Sequence, residues 1–167
     1  MKIAFELNGA PAELEIEPRE TLSEMLRGRC RLTGVKLSCE AQVCGACTVL
    51  VNGLPVSACT YLAYETRGKR VVTIEGLAES PEKLHPLQQA FLDNFAFQCG
   101  FCTPGMILAA KALLDEKPHP THDEIIAHMD GNLCRCTGYL AIVKSIQQVA
   151  AGAAGNGHGS GDGAGKR

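Results

Sequence analysis

The sequence contains no tryptophan, and only five phenylalanines and three tyrosines stand among its 167 residues. Aromatic side chains supply much of the buried area in many small proteins. This chain therefore needs another source of stability for its cores, and bound metals often provide it in small domains. Also absent is any apolar run of the roughly 18 residues that a membrane-spanning helix requires. We expect a globular protein without a membrane span.

The sequence also has no large excess of positive or of negative charge. The chain carries 16 Lys and Arg against 18 Asp and Glu, for a net charge of −2, and it has no basic stripe. Because nucleic-acid binding depends on such basic surfaces, no nucleic-acid partner is expected. Glu6 interrupts the apolar stretch that a signal peptide would need. With nine cysteines, an odd number, the sequence favours a reducing, cytoplasmic setting in which the thiols serve as ligands.

The first set of cysteines has the spacing of a metal site. Cys39, Cys44 and Cys47 form the pattern C-x4-C-x2-C, and Cys59 follows on a predicted returning strand. This is the plant-type spacing for the four thiolates of a [2Fe–2S] cluster. A structural zinc site also takes four thiolates and is the alternative, although zinc sites more often show two similar C-x2-C pairs.

A second set of four cysteines lies further along the chain. Cys99 and Cys102 are separated by two residues, and Cys134 and Cys136 by one. Both pairs precede predicted helix starts, where unpaired N–H groups favour a negatively charged cluster. Zinc binding or a disulfide remains an alternative for this set taken alone. The ninth cysteine, Cys30, is interpreted as a small buried hydrophobe.

The N-terminal half has the pattern of short strands. Alternating apolar residues flank Asn8-Gly9, and a second Asn-Gly pair begins at Asn52, so both positions predict β-hairpin turns. Thr21 and Glu24 form a capping box that predicts one short helix. Residues 1–76 are therefore predicted to be an α+β module of four or five strands with one helix.

From residue 77 the pattern changes to helices. Predicted helices cover Leu84 to Phe95, a segment opened by Thr103 as N-cap, a segment opened by the capping box at Thr121, and Tyr139 to Ala150. Residues 77–151 are predicted to form a four-helix bundle. Residues 152–167 are rich in Gly and Ala, and we expect a disordered tail there.

Several stretches of the chain match motifs of a known family. They are Cys44–Val49 (CGACTV), Thr73–Leu77 (TIEGL), Leu84–Gln88 (LHPLQ), Gln98–Met106 (QCGFCTPGM) and Gly131–Tyr139 (GNLCRCTGY). By these motifs, residues 2–150 resemble the small [2Fe–2S] iron–sulfur subunit of the xanthine oxidase family of molybdenum hydroxylases. The last two motifs are the most specific.

The resemblance implies a β-grasp (plant ferredoxin-like) domain followed by a four-helix bundle, each holding one [2Fe–2S] cluster. It also implies a large partner subunit with a molybdopterin cofactor and a medium partner subunit with FAD, in a heterotrimer or its dimer. The four cysteines from Cys99 to Cys136 would hold the cluster nearer molybdenum, and the four from Cys39 to Cys59 the cluster nearer FAD. Gln98 and Cys102 would approach the pterin of the large subunit.

The function that we predict is electron transfer within an oxidoreductase complex. Electrons would pass between the molybdopterin centre and FAD through the two clusters, and the substrate would bind to the large subunit and not to this chain. Two alternatives remain at this point. One is a freestanding two-cluster ferredoxin, and the other, from a different class, is a zinc-stabilised interaction module.

Overall fold

The computed structural model describes residues 1–80 and 82–155. Its first element is the predicted hairpin, in which β1 (Lys2–Leu7) pairs antiparallel with β2 (Ala10–Glu15). Asn8 and Gly9 join the strands with φ angles of +50° and +81°. Positive φ at both central residues is what a type I′ turn requires, and Asn-Gly adopts it readily. The hairpin prediction is confirmed.

Three further strands complete one mixed sheet: β3 (Thr48–Val51), β4 (Leu54–Ser57) and β5 (Arg70–Val72). The strand order is β2-β1-β5-β3-β4, with β1 and β5 parallel and the other neighbours antiparallel. The short helix α1 (Leu22–Glu24) begins at the predicted capping box and continues as a π-helical turn over Met25–Arg29. Its buried face packs against the sheet in a core that includes Ile3, Leu26 and Val49.

The second half of the chain is helical. It consists of α2 (Pro86–Asp93), α3 (Thr103–Glu116), α4 (His122–Met129) and α5 (Leu140–Gly155). Apolar residues from all four helices share one core, among them Phe91, Met106, Ile125, Ile142 and Ile146. The α+β class is confirmed, with a mixed five-stranded sheet and, within the described residues, five α-helices. None of the helices in this part of the chain is long and apolar enough to cross a membrane.

Several helix boundaries differ from the predicted ones. Helix α2 runs over Pro86–Asp93 and not from Leu84 to Phe95, because His85 is its N-cap and Asn94 its C-cap. Helix α5 begins at Leu140 and not at Tyr139, which has a φ of +69°.

The N-cap of α3 is Cys102 and not Thr103, because the Thr103 N–H donates to Gly100 O at 3.3 Å in a turn that runs directly into the helix. Helix α5 extends to Gly155, four residues into the predicted tail, because Ala151, Ala153 and Ala154 have high helix propensity. The rest of that tail, residues 156–167, lies outside the described residues.

The two halves pack against each other through α3 and β3. Leu50 of β3 meets Leu108 and Ala112 of α3 in a small third cluster of buried residues. This packing brings the beginning of α3, which follows Cys102, against the loop that ends at Cys47. The fold thus places the two sets of cysteines on either side of one junction.

Candidate metal centres

The first cysteine site is organised by a loop that curls around one sulfur. Cys39 Sγ accepts hydrogen bonds from the backbone N–H groups of Ala41, Val43 and Cys44, each at 3.4 Å. These three N–H groups lower the pKa of the Cys39 thiol to about 6. A concave array of N–H groups favours negative charge at its centre, so this loop is preorganised for a thiolate.

The curl depends on backbone conformations that glycine normally supplies. Gln42 has a φ of +59° and Gly45 one of +67°. A residue with a side chain occupies the left-handed region only at some energetic cost, and at Gln42 a hydrogen bond from Thr60 Oγ1 to Oε1, at 3.0 Å, helps to hold that conformation.

The other two cysteines of this site meet beside the sheet. Cys47 comes directly before β3 and is 3% exposed, whereas Cys59 lies in the turn after β4. The return strand ends at Ser57, earlier than predicted, because Thr60 N and Tyr61 N both donate to Ser57 O and bend the chain. Burial and hydrogen bonding to Cys59 raise the pKa of the Cys47 thiol to about 11. A bound cation would favour the thiolate form of the buried Cys47.

The second site is assembled from two separate loops. Cys99 and Cys136 approach with their sulfurs 3.7 Å apart, and Cys102 is hydrogen-bonded to Cys134. The two cysteines of the C-x-C segment therefore reach different partners. Burial, together with Cys134, raises the pKa of the Cys102 thiol to about 12.

Side chains hold the C-x-C loop in place. The backbone N–H of Cys134 donates to Tyr139 Oη at 2.8 Å, and Thr137 Oγ1 donates to Cys134 Sγ at 3.1 Å. Gln98 Nε2 donates to Cys136 O at 2.9 Å. Of these residues, sequence reasoning singled out only Gln98. The position of Tyr139 and Thr137 within the same short motif as two ligands was the available signal.

A cavity of about 500 Å³ lies at the second site and reaches the first. All four cysteines of the second site line it, together with Cys44 of the first site. The backbone joins the sites directly, because Leu133 N donates to Cys44 O at 2.9 Å. Cys44 and Cys134 are thus connected by one backbone hydrogen bond and the peptide bond that joins Leu133 to Cys134.

The donor sets fit iron–sulfur clusters. Each site offers four cysteines and, in a [2Fe–2S] centre, each iron takes two of four such ligands. Within the described residues, no group of three or more His, Cys, Asp or Glu is arranged so that it could hold a single metal ion. Thr103 Oγ1, directly after the ligand candidate Cys102, is buried and makes no hydrogen bond to the described residues. Cys30 lies outside both sites, half-buried, and burial raises the pKa of its thiol.

Comparison with known proteins assigns each half to a cluster-binding domain. Residues 5–73 match the 2Fe-2S iron-sulfur cluster binding domain, and residues 73–147 match the [2Fe-2S] binding domain. The fold and the two cysteine sites therefore define a [2Fe–2S]-binding protein with two binding domains.

The relatives define the family more closely. The chain is 49% identical over 145 residues to the nicotinate dehydrogenase small FeS subunit of Eubacterium barkeri, covering 87% of this chain and 92% of the relative. It is 45% identical over 146 residues to the nicotine 6-hydroxylase small subunit of Paenarthrobacter nicotinovorans, covering 87% of each. Among solved structures, quinoline 2-oxidoreductase from Pseudomonas putida 86 matches with a TM-score of 0.89 and 45% identity, over 94% of this chain and 97% of that one.

The chain belongs to the small iron–sulfur subunits of the xanthine oxidase family of molybdenum hydroxylases. Several of its relatives are iron–sulfur subunits of multi-subunit oxidoreductases. The resemblance stated from the sequence motifs is confirmed.

Proposed function

We propose that this chain transfers electrons within a molybdenum hydroxylase complex, between a molybdopterin centre on a large subunit and FAD on a medium subunit. Two [2Fe–2S] clusters would supply the one-electron chemistry. Cys39, Cys44, Cys47 and Cys59 would hold the cluster nearer FAD. The cluster nearer molybdenum would be held by Cys99, Cys102, Cys134 and Cys136.

One observation supports this proposal above the others. The ligand loops of the two sites are joined backbone to backbone by the Leu133 N–H to Cys44 O bond of 2.9 Å. A chain that only stored two metals would have no need to bring the sites together, whereas a relay needs a short path between them. Each side of the hydrogen bond lies within one residue of a ligand, since Leu133 precedes Cys134.

The second site is the more open of the two. Cys99 and Cys136 are exposed, and the exposed side chain of Phe101 stands between the first pair of ligands. Gln98 is also exposed, and its Nε2 holds Cys136 O. This surface favours the second site as the one that faces the pterin of the large subunit, with Gln98 and Cys102 approaching the cofactor. The same arrangement lets Gln98 act on the cluster through Cys136.

A further comparison supports the idea that the chain works beside other domains. In the aldehyde oxidoreductase of Desulfovibrio gigas, the matching region has a TM-score of 0.90 and 38% identity but makes up 18% of that chain. The module thus occurs there within a much longer polypeptide. Here we propose separate partners, assembled as a heterotrimer or its dimer in the cytoplasm. Within the chain we propose a β-grasp domain over residues 1–76 and a four-helix bundle over 77–151.

The test is spectroscopy of the purified chain with its partners. We expect iron without zinc, two distinct EPR signals of about one spin each after reduction, and co-purification of two larger subunits. Zinc without a visible spectrum would indicate an interaction module. Two clusters without any larger subunit would indicate a freestanding ferredoxin.

Gln98→Ala tests the orientation of the relay. In the complex, the proposed contact between Gln98 and the pterin would be buried, and removing one partner of a buried hydrogen bond costs about 1–3 kcal/mol. We therefore expect reduction of the second-site cluster by substrate to slow roughly ten- to a hundredfold, or the molybdenum content to fall. Both clusters should remain. Gln89→Ala is the control, because in the described part of the chain the Gln89 side chain bonds to Asp93 of its own helix and to neither site. Rates and molybdenum content equal to those of the unmodified complex would place the entry point elsewhere.

A further inference from the structure

Asn132 connects the two halves of the molecule through its side chain. The side chain is buried, with the residue 7% exposed, and Nδ2 donates to Gly45 O at 3.0 Å and to Thr48 Oγ1 at 3.3 Å. Gly45 lies between the first-site ligands Cys44 and Cys47. Asn132 itself comes two residues before Cys134, so this carboxamide bridges the ligand loops of both sites.

The bridge is part of a two-bond junction. Leu133 N donates to Cys44 O, and Asn132 Nδ2 donates to Gly45 O, so consecutive residues of one loop bind consecutive residues of the other. Thr48 reinforces the acceptor, because its Oγ1 also donates to Gly45 O at 2.8 Å. The junction is thus built from a backbone bond and a cluster of buried side-chain bonds.

The backbones approach so closely at this junction that no additional side-chain atoms would fit between them. A Cβ atom at Gly45 would lie 2.5 Å from Asn132 Nδ2 and 2.6 Å from Gly131 O. A Cβ atom at Gly105, at the start of α3, would collide with Gly45 O. Glycine at both positions lets the first-site loop approach the Asn132 segment and the start of α3 closely, and the carboxamide of Asn132 lies at the contact between the two loops.

We propose that Asn132 is a positioning residue that sets the separation of the two clusters, and with it the rate of electron exchange between them. The inference rests on the proposed function, since it requires two clusters. It assigns Asn132 no contact with either cluster. Asn132 positions the first site by its hydrogen bond to Gly45 O, and it positions the second site because it lies two residues before Cys134.

The decisive variant is Asn132→Asp in the full chain with both clusters and its partners. Aspartate keeps the shape of the side chain but replaces the donor with an oxygen, which repels Gly45 O. The readout is the magnetic interaction between the two reduced clusters, seen as splitting of their EPR signals, because this splitting weakens steeply as the distance grows. We expect full iron content, a smaller splitting and slower exchange between the clusters.

Asn94→Ala provides the matched control. Its carboxamide also makes two bonds, to Ala90 O at 2.9 Å and Gln148 Oε1 at 2.8 Å, but it joins α2 to α5 within the helical half. The EPR splitting of Asn94→Ala should equal that of the unmodified protein. Thr48→Val is the second probe, since it removes the hydroxyl that supports the same acceptor while keeping side-chain volume. It should change the splitting in the same direction as Asn132→Asp.

The outcomes separate the two proposals. Unchanged splitting in Asn132→Asp, with all iron present, would overturn the role of Asn132 and leave the relay intact. Loss of a cluster in both Asn132→Asp and Thr48→Val would also overturn it, because Asn132 would then build a site and not space two sites. A single cluster in the unmodified protein would overturn the proposed function and this inference together.

Discussion

In the sheet half, backbone N–H groups supply most of the hydrogen bonds to the cysteines of the first site, whereas in the helical half side chains supply most of those to the second. Three N–H groups of one loop point at Cys39 Sγ. At the second site, Tyr139 Oη accepts from Cys134 N, and Gln98 Nε2 donates to Cys136 O. The same four-cysteine chemistry is therefore supported in two physically different ways.

This difference has consequences for substitution and exposure. A loop that binds through backbone N–H groups tolerates most changes of neighbouring side chains, because the donors remain. A loop held by hydrogen bonds to side-chain hydroxyl and amide groups loses one of these bonds with each substitution of such a side chain. The first site also includes the buried Cys47, whereas two ligands of the second site are exposed. We expect the second site to be the more sensitive to both mutation and partner binding.

Replacing one ligand in each half should give the largest effects. Cys47→Ser and Cys136→Ser should each remove about half of the bound iron, because each breaks one four-cysteine set. Cys47→Ser should also lower the free energy of unfolding more than Cys136→Ser does, because Cys47 is 3% exposed whereas Cys136 lies at the surface. Iron analysis, visible spectra and urea unfolding measure these effects.

The ninth cysteine provides the control for both ligand variants. Cys30→Ser should keep the full iron content, because Cys30 lies outside both sites. If Cys47→Ser lost all the iron, the two sites would depend on each other, and the comparison between independent halves would fail.

Removing a side-chain tie tests the comparison directly. Tyr139→Phe deletes the acceptor of the Cys134 N–H and leaves that donor unpaired, which typically costs about 1–3 kcal/mol. We expect the second cluster to be lost faster during storage or mild denaturation, while the first cluster remains unaffected. Visible absorption followed over time measures this.

Tyr61→Phe is the matched control in the sheet half. Among the residues that the structure describes, its hydroxyl accepts from the Lys69 ammonium alone, at 2.8 Å, and water can readily bind that ammonium in its place. We expect little change in either cluster. Equal losses of the clusters in the two tyrosine variants would show that hydrogen bonds from tyrosine hydroxyls do not distinguish the two sites.

Much of this architecture could be predicted because the signals are local in the chain. Asn8-Gly9 sets its own turn geometry, and each of the capping boxes at Thr21 and Thr121 lies within four residues. The junction at Asn132 could not be predicted in this way. Its bond to Gly45 joins positions 87 residues apart, and neither an asparagine nor a glycine in a loop indicates a partner across the fold.

The start of α3 shows a second limit of local signals. Thr103-Pro104 has the composition of a helix N-cap and N1 pair, but the turn built around Gly100 places Cys102 at the cap instead. Gly100 has a φ of +77°, which is required to bring Cys99 and Cys102 to the same site. The demands of the cysteine loop therefore override the capping preference of threonine.

The two capping boxes that begin with threonine provide a smaller comparison between the halves. Thr21 Oγ1 caps α1 and Thr121 Oγ1 caps α4, each accepting from the N–H three residues later. Thr21→Ala and Thr121→Ala should each cost about 0.5–2 kcal/mol. Urea unfolding should report both losses, with Thr21→Ser and Thr121→Ser restoring most of the stability. A loss at one position only would mean that the helix at the other is held by packing alone.

The smallest expected effect is a pH dependence confined to the helical half. Lys117 pairs with Glu124, and together with the N–H and hydroxyl of Thr121 it lowers the pKa of Glu124 from 4.5 to about 2. A carboxyl whose pKa is lower in the folded state stabilises the fold fully above its unfolded value. That contribution is lost as the pH falls from about 4.5 towards 2.

Glu124→Gln is the variant that tests this, because glutamine can keep the capping box while losing the charge. We expect it to be less stable than the unmodified protein at neutral pH, and the difference to shrink as the pH falls below 4.5. Comparing the two proteins at each pH cancels any effect of acid on the cysteine sites. Glu116→Gln, at the exposed end of α3, is the control for removing one negative charge elsewhere in the helical half. Because the Lys117–Glu124 pair is exposed, added salt should screen it and reduce the difference. A difference that persisted unchanged to low pH would assign the stabilisation to the cap hydrogen bonds and not to the charge.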